Sequence, residues 1–176
     1  MIHPLLPDGA LRPRATPMRL HDVTVFLITT GEATTRAARA CIDTQTSPAV
    51  QVITIDRVAP MDRAFQAMLD QCTTRYYVQV DADMLLHPDA VGALHEAITT
   101  KHKGAAMVCA PLWDVFDDRP IYGVKIYDHA ITARFPYQES LSCEVHQMAR
   151  MEAAGQRWSL VPLAERPQCY GLHGTL

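Results

Sequence analysis

The sequence predicts an α/β domain: a mainly parallel central sheet flanked by helices, followed by a mixed α+β C-terminal half. Three observations carry this. Apolar β-branched runs alternate with helix-periodic segments through the first hundred residues. Two of those runs end in aspartate, at Asp56 and Asp81, where an open parallel sheet binds ligands. Beyond Gly104 the alternation gives way to closely spaced strand-like segments and one helix.

The 176 residues fit one domain with a buried core. Met1 to Asp22 hold Pro4, Pro7, Pro13 and Pro17 among mixed polar residues, which predicts an irregular arm over 1–22 and a domain over 23–176. Val23 to Ile28 is a continuous apolar run, as expected of a strand covered on both faces. Ala33 to Gln45 is alanine-rich, with Ala38, Cys41 and Ile42 at helical spacing, and a second strand follows from Val50 to Asp56. Phe65, Met68, Leu69 and Cys72 fall at i, i+3, i+4 and i+7, one apolar helix face. Tyr76 to Val80 is the next strand and runs straight into Asp81. Pro88 then opens a helix with Val91, Leu94 and Ile98 on one side.

In the second half, Ala105 to Ala110 reads as a strand. Tyr122 to Tyr127 and Ala130 to Phe135 read as a hairpin across Asp128 and His129. A last helix is expected from Ser142, as N-cap, to Ala154, with Gly155 as its stop, before a strand at Trp158 to Val161. The sequence has no internal repeat and no low-complexity segment.

Composition narrows the function classes. A net charge of -3 with scattered Lys and Arg offers no basic stripe for a phosphate backbone, so nucleic acid is not an expected partner. Five cysteines with no Cys-x-x-Cys pair read as reduced thiols and imply a cytoplasmic location. No run approaches the ~20 apolar residues that span a bilayer, so no transmembrane segment is expected.

The chemistry concentrates at Asp81-Ala82-Asp83. Two carboxylates two apart at a strand end, in extended geometry, point the same way into the crevice. Hard divalent cations take one or two carboxylates together with substrate phosphate oxygens, so Mn²⁺ or Mg²⁺ is the expected cofactor. Against this stands the common use of Asp to begin a turn after a strand.

Tyr76-Tyr-Val-Gln-Val-Asp-Ala-Asp-Met-Leu-Leu-His-Pro-Asp-Ala-Val91 resembles the strand, Asp-x-Asp triplet and following helix of GT-A fold glycosyltransferases of family two. Ala64-Phe65-Gln66-Ala67 stands where that family has Ala-Arg-Asn-Ala. Arg150 to Pro162 resembles the helix and strand after its acidic catalytic motif. The resemblance covers about Val23 to Val161 and implies a single Rossmann-like GT-A domain. It implies transfer of a sugar, with inversion, from a nucleotide-diphosphate donor such as a UDP- or GDP-sugar to the hydroxyl of a glycan, lipid or small molecule.

It also assigns residues. Asp56 would hold the nucleobase, Thr29 and Glu32 would lie beside base or ribose, and Asp81 and Asp83 would hold the metal and diphosphate. His173 would complete the metal site, and Glu144 would be the general base. The sequence departs from the family in having no Asp-Asp-Gly-Ser after the second strand and Cys143-Glu144 in place of the Glu-Asp pair.

Other readings stay open. Cys143-x-x-His146 with Cys169-x-x-x-His173 offers four zinc ligands at loose spacing. Trp113 and Asp114 could wall a sugar site, since aromatic faces suit sugar C–H surfaces. A nucleotidyltransferase shares the sheet but needs a basic, glycine-rich first loop, which Thr29-Thr-Gly-Glu-Ala33 is not. An aspartyl phosphatase would carry its Asp-x-Asp on the first strand. A GT-A-like domain that binds a nucleotide sugar without turnover is the non-enzymatic alternative.

Overall fold

The structure, a computed structural model, describes residues 19–163 and 169–174. The first apolar run folds as β1 (Leu20–Thr29), so regular structure begins ahead of Val23; residues 1–18 of the expected arm lie outside the described part. Helix α1 (Thr35–Asp43), strand β2 (Ala49–Asp56), helix α2 (Met61–Gln71) and strand β3 (Tyr76–Asp81) follow in the predicted order. Both β2 and β3 pair parallel to β1. Then come a short β4 (Leu85–Leu86) and α3 (Ala90–Glu96), which continues as one π-helical turn over Ala97–Lys101.

The second half is built on strands β5 (Met107–Asp114) and β6 (Arg119–Asp128), a long antiparallel pair. The hairpin expected across Asp128 and His129 does not form. Residues 129–132 are a single helical turn, α4 (His129–Thr132), because the Asp128 carboxylate accepts from the Ala130 N–H at 3.1 Å and caps it. Meanwhile β6 is engaged on both edges, by β5 and by β3. Helix α5 (Cys143–Ala153), β7 (Trp158–Leu160) and β8 (Gly171–His173) complete the described chain. Ser142 holds the N-cap position of α5 through its carbonyl, which accepts from His146, but its hydroxyl makes no capping bond.

The sheet order is β2-β1-β3-β6-β5-β8-β4, with β7 beside β5. The left half is parallel and the right half mixed, because β6 enters antiparallel between β3 and β5. Alternation along β1 sends Val23, Val25 and Leu27 to one face, packed with Ile42, Val91, Leu94 and Ile98 of α1 and α3. Phe26 goes to the other, against Phe65, Met68 and Leu69 of α2 and the stacked pair Tyr77 and Tyr127, whose rings are 4.7 Å apart. Each fully buried large side chain contributes roughly 1.5–3 kcal/mol of transfer free energy, so these two layers hold the carboxyl ends of β1 and β3 rigidly side by side.

Of the five free thiols, Cys72, Cys109 and Cys143 are buried and Cys41 and Cys169 half-buried. Among the described residues no helix is long and apolar enough to cross a membrane.

Candidate active site

Beyond the carboxyl ends of β1 and β3 lies a cleft of about 260 Å³, lined by Thr29, Glu32, Phe65, Asp81 and Asp83 among others. Its floor follows from the local sequence: Ala82 is buried in the core and its N–H is bonded to the Ile28 carbonyl, which ties the triplet to the end of β1. The expected extended geometry of the triplet is not found. The strand stops at Asp81, and Ala82 and Asp83 turn, with the Met84 N–H closing on the Asp81 carbonyl at 2.9 Å. Both carboxylates still face the cleft, presented by a turn rather than by strand alternation.

The loop after β1 folds around Glu32. Its carboxylate accepts from the Thr29 hydroxyl at 2.6 Å, the Thr30 hydroxyl at 2.7 Å and the Thr30 and Gly31 N–H groups. The hydroxyls of Thr29 and then Thr30 pull its pKa down to about 2. Gly31, at φ +108°, permits the tight turn and leaves room for Arg57, whose guanidinium sits 3.1 Å from where a Cβ would be. Asp56 ends β2 in register with Thr29 but is exposed and does not line the cleft.

Asp81 is perturbed in the opposite direction from Glu32. Burial raises its pKa to about 6; Lys125 opposes the rise and Glu144 adds to it. These neighbours form a connected polar cluster. Gln79 reaches Asp81 Oδ1 at 3.4 Å, and the Tyr127 hydroxyl lies 3.1 Å from both Gln79 Oε1 and Glu144 Oε1. Lys125 Nζ donates to Glu144 Oε1 at 2.9 Å. Burial alone would lower the Lys125 pKa, but the adjacent Glu144 carboxylate outweighs it and the ammonium is held above its ordinary value. Sequence reasoning missed Lys125; it enters because β6 pairs with β3 so that Lys125 lies opposite Gln79.

His173 stands between two aspartates. Its Nδ1 is 2.7 Å from Asp114 Oδ2 and its Nε2 is 3.5 Å from Asp83 Oδ2. With Nδ1–H donating to Asp114, the Nε2 lone pair faces a carboxylate oxygen, an arrangement of two Lewis bases that suits a shared cation. An imidazole and a carboxylate fit Mn²⁺ in donor chemistry. Among the described residues no group of three or more His, Cys, Asp or Glu side chains forms a ready-made cage. Asp83 and His173 stand as one oxygen and one nitrogen donor 3.5 Å apart at this end of the sheet.

The four zinc candidates are not brought together. Cys143 is buried in the core layer of α2, His146 is exposed on α5, and His173 is turned to Asp114 and Asp83. Trp113 is also turned away from Asp83 and His173. It points opposite to Asp114 along β5 and lines a second, apolar cavity of about 460 Å³ with Leu85, Leu86 and Leu172.

No protein-family model matches the chain, and no curated protein matches it by sequence. Solved structures do match its fold. Glucosyl-3-phosphoglycerate synthase from Mycobacterium tuberculosis, solved with Mn²⁺, UDP and phosphoglyceric acid, superimposes with a TM-score of 0.64 at 15% identity. The match covers 82% of this chain and 73% of that one. A mannosyltransferase from Pyrobaculum calidifontis, solved with GDP-Man and Mn²⁺, gives 0.63 at 14% identity, over 80% of this chain and 55% of that one. The chain has the GT-A fold. Residues 1–349 of S. aureus TarS match this GT-A domain with a TM-score of 0.58 at 13% identity, over 86% of it and 60% of that chain.

Proposed function

We propose that this GT-A domain is a metal-dependent glycosyltransferase, moving a sugar from a UDP- or GDP-sugar to an acceptor hydroxyl with inversion. The observation that carries the reading is the cleft at the carboxyl ends of β1 and β3, where Asp83 faces both the cavity and His173. The structural neighbours solved with Mn²⁺ and UDP or GDP-Man support the same kind of donor.

Asp83 and His173, with Asp81 behind them, would hold Mn²⁺ or Mg²⁺, which when bound stabilises charge on a departing diphosphate. The Thr29 to Glu32 loop forms the wall beside base and ribose, and exposed Asp56 at its rim would meet the base edge. Glu144 serves as general base. Lys125 and Tyr127 both reach its Oε1, leaving Oε2 to receive the acceptor proton. The Lys125 ion pair also favours a second reading, binding of a nucleotide sugar without transfer, because it engages one oxygen of the carboxylate in a structural contact. A nucleotidyltransferase is disfavoured, since the first loop closes on an acid.

Incubation with Mn²⁺ and a panel of UDP- and GDP-sugars, following diphosphate release, tests the assignment. Asp83→Ala should abolish release. Glu144→Gln, which keeps an oxygen for Lys125 and Tyr127, should lower kcat by about 10²–10⁴ with little change in donor affinity. Donor binding by calorimetry without release from any acceptor would select the binding-only reading; neither binding nor release would sink both.

A further inference from the structure

We propose that Asp114 is a positioning residue that fixes the proton of His173 on Nδ1 and so presents Nε2, unprotonated, to a divalent cation shared with Asp83. The proposal rests on the metal-site reading above. Asp114 closes β5 and is in register with His173 across the parallel β5–β8 pairing, where the Val115 N–H also bonds the His173 carbonyl at 3.1 Å. Its two oxygens have separate tasks. Oδ1 accepts from the Phe116 N–H at 3.0 Å and the Asp117 N–H at 2.8 Å, which fixes the turn into β6. Among the described residues, Oδ2 meets only His173 Nδ1, at 2.7 Å, the short distance of a charge-assisted bond.

A carboxylate can only accept, so the ring nitrogen beside it must carry the proton. The neutral imidazole then has its lone pair on Nε2, 3.5 Å from Asp83 Oδ2. The tautomer of a ligating histidine is set by the bond its other nitrogen makes, and losing that partner typically weakens metal binding 10–100-fold.

Asp114→Asn separates this role from support of the turn. The Asn carbonyl oxygen can keep the two N–H bonds of the turn, which leaves the NH₂ group facing Nδ1. A donor there requires Nδ1 to accept, so the proton moves to Nε2 and the ring can no longer ligate. With ¹⁵N-histidine protein free of metal at about pH 8, above the ordinary histidine range, long-range ¹H–¹⁵N spectra assigned with His173→Gln report the tautomer directly. Electron paramagnetic resonance of free Mn²⁺ reports affinity.

The expected result is an Nδ1–H ring in the wild type, an Nε2–H ring in Asp114→Asn, and Mn²⁺ binding 10–100-fold weaker in the variant, at an unchanged thermal midpoint. An Nε2–H ring in the wild type, an unmoved tautomer in the variant, or a switched tautomer with undiminished Mn²⁺ affinity would each overturn the proposal. A wild type with the Nδ1–H ring but no Mn²⁺ binding at all would instead sink the metal-site reading, and the cation half of this proposal with it.

Discussion

The Asp81 carboxyl titrates near 6 in the fold against the ordinary 3.8, chiefly through burial, so the folded chain binds its proton more tightly than the unfolded chain does. The sign follows: the contribution is neutral below about pH 4, becomes destabilising as pH rises through 4 to 6, and is constant above. About two pKa units correspond to about 3 kcal/mol. In chelator, Asp81→Asn should therefore be more stable than the wild type by about 2–3 kcal/mol at pH 7 and equal to it below pH 4. Chemical denaturation across this range measures the difference, and a variant no more stable at pH 7 would mean that the ionised carboxylate is adequately compensated by Lys125. Asp81 and Asp83 were legible in the sequence because a short apolar strand runs directly into them. Lys125 was not, and Asp114 was legible only as a neighbour of Trp113 in a sugar wall, not as a partner of His173: each lies far along the chain, and only the insertion of β6 between β3 and β5, and the pairing of β8 with β5, brings them to the same place.

Elements whose faces are read by one period were legible too. The α2 face of Phe65, Met68, Leu69 and Cys72 is buried as its spacing predicts, and β1 is covered on both sides as its unbroken apolar run predicts. The failure at Ala130 to Phe135 is one of competition. Those residues could pair as a strand, but the Asp128 cap and the Thr132 hydroxyl, bonded to the Asp128 carbonyl at 3.1 Å, close a helical turn first. Strand β8 was unreadable because three residues carry no period. Its place depends on Gly171, where a Cβ would lie 2.4 Å from the Leu85 carbonyl oxygen and 2.9 Å from Leu86 Cα, both backbone atoms that cannot step aside. Gly171→Ala should push β8 off β4, cost about 1–3 kcal/mol of stability, and displace His173 two residues on. Denaturation and Mn²⁺ titration of one preparation check both effects; an alanine variant that matched the wild type in both would show that this strand pairing is not what holds the imidazole.

At the scale of the whole molecule, the cleft belongs to the parallel half of the sheet and meets the mixed half only through Asp83, 3.5 Å from His173. Thr29, Glu32 and Asp81 come from the parallel left half, while His173 is carried by β8 at the mixed right half. A ligand that touches both should stabilise the entire fold rather than one loop, because it binds the native arrangement and not the unfolded chain. UDP or GDP alone would reach only the left half, and Mn²⁺ alone would find the Asp83 and His173 pair without phosphate oxygens to complete its shell. The two together should therefore act more than additively. At free nucleotide about 100-fold above its Kd the stabilisation is about 2.7 kcal/mol, a rise in thermal midpoint of roughly 5–10 °C for a chain of this size, against a degree or two for either component alone. Asp83→Ala should remove the synergy while leaving any small effect of the nucleotide alone. Equal shifts with and without Mn²⁺ would place the diphosphate away from Asp83 and His173, and would leave the cleft as a nucleotide site with no part for the metal pair.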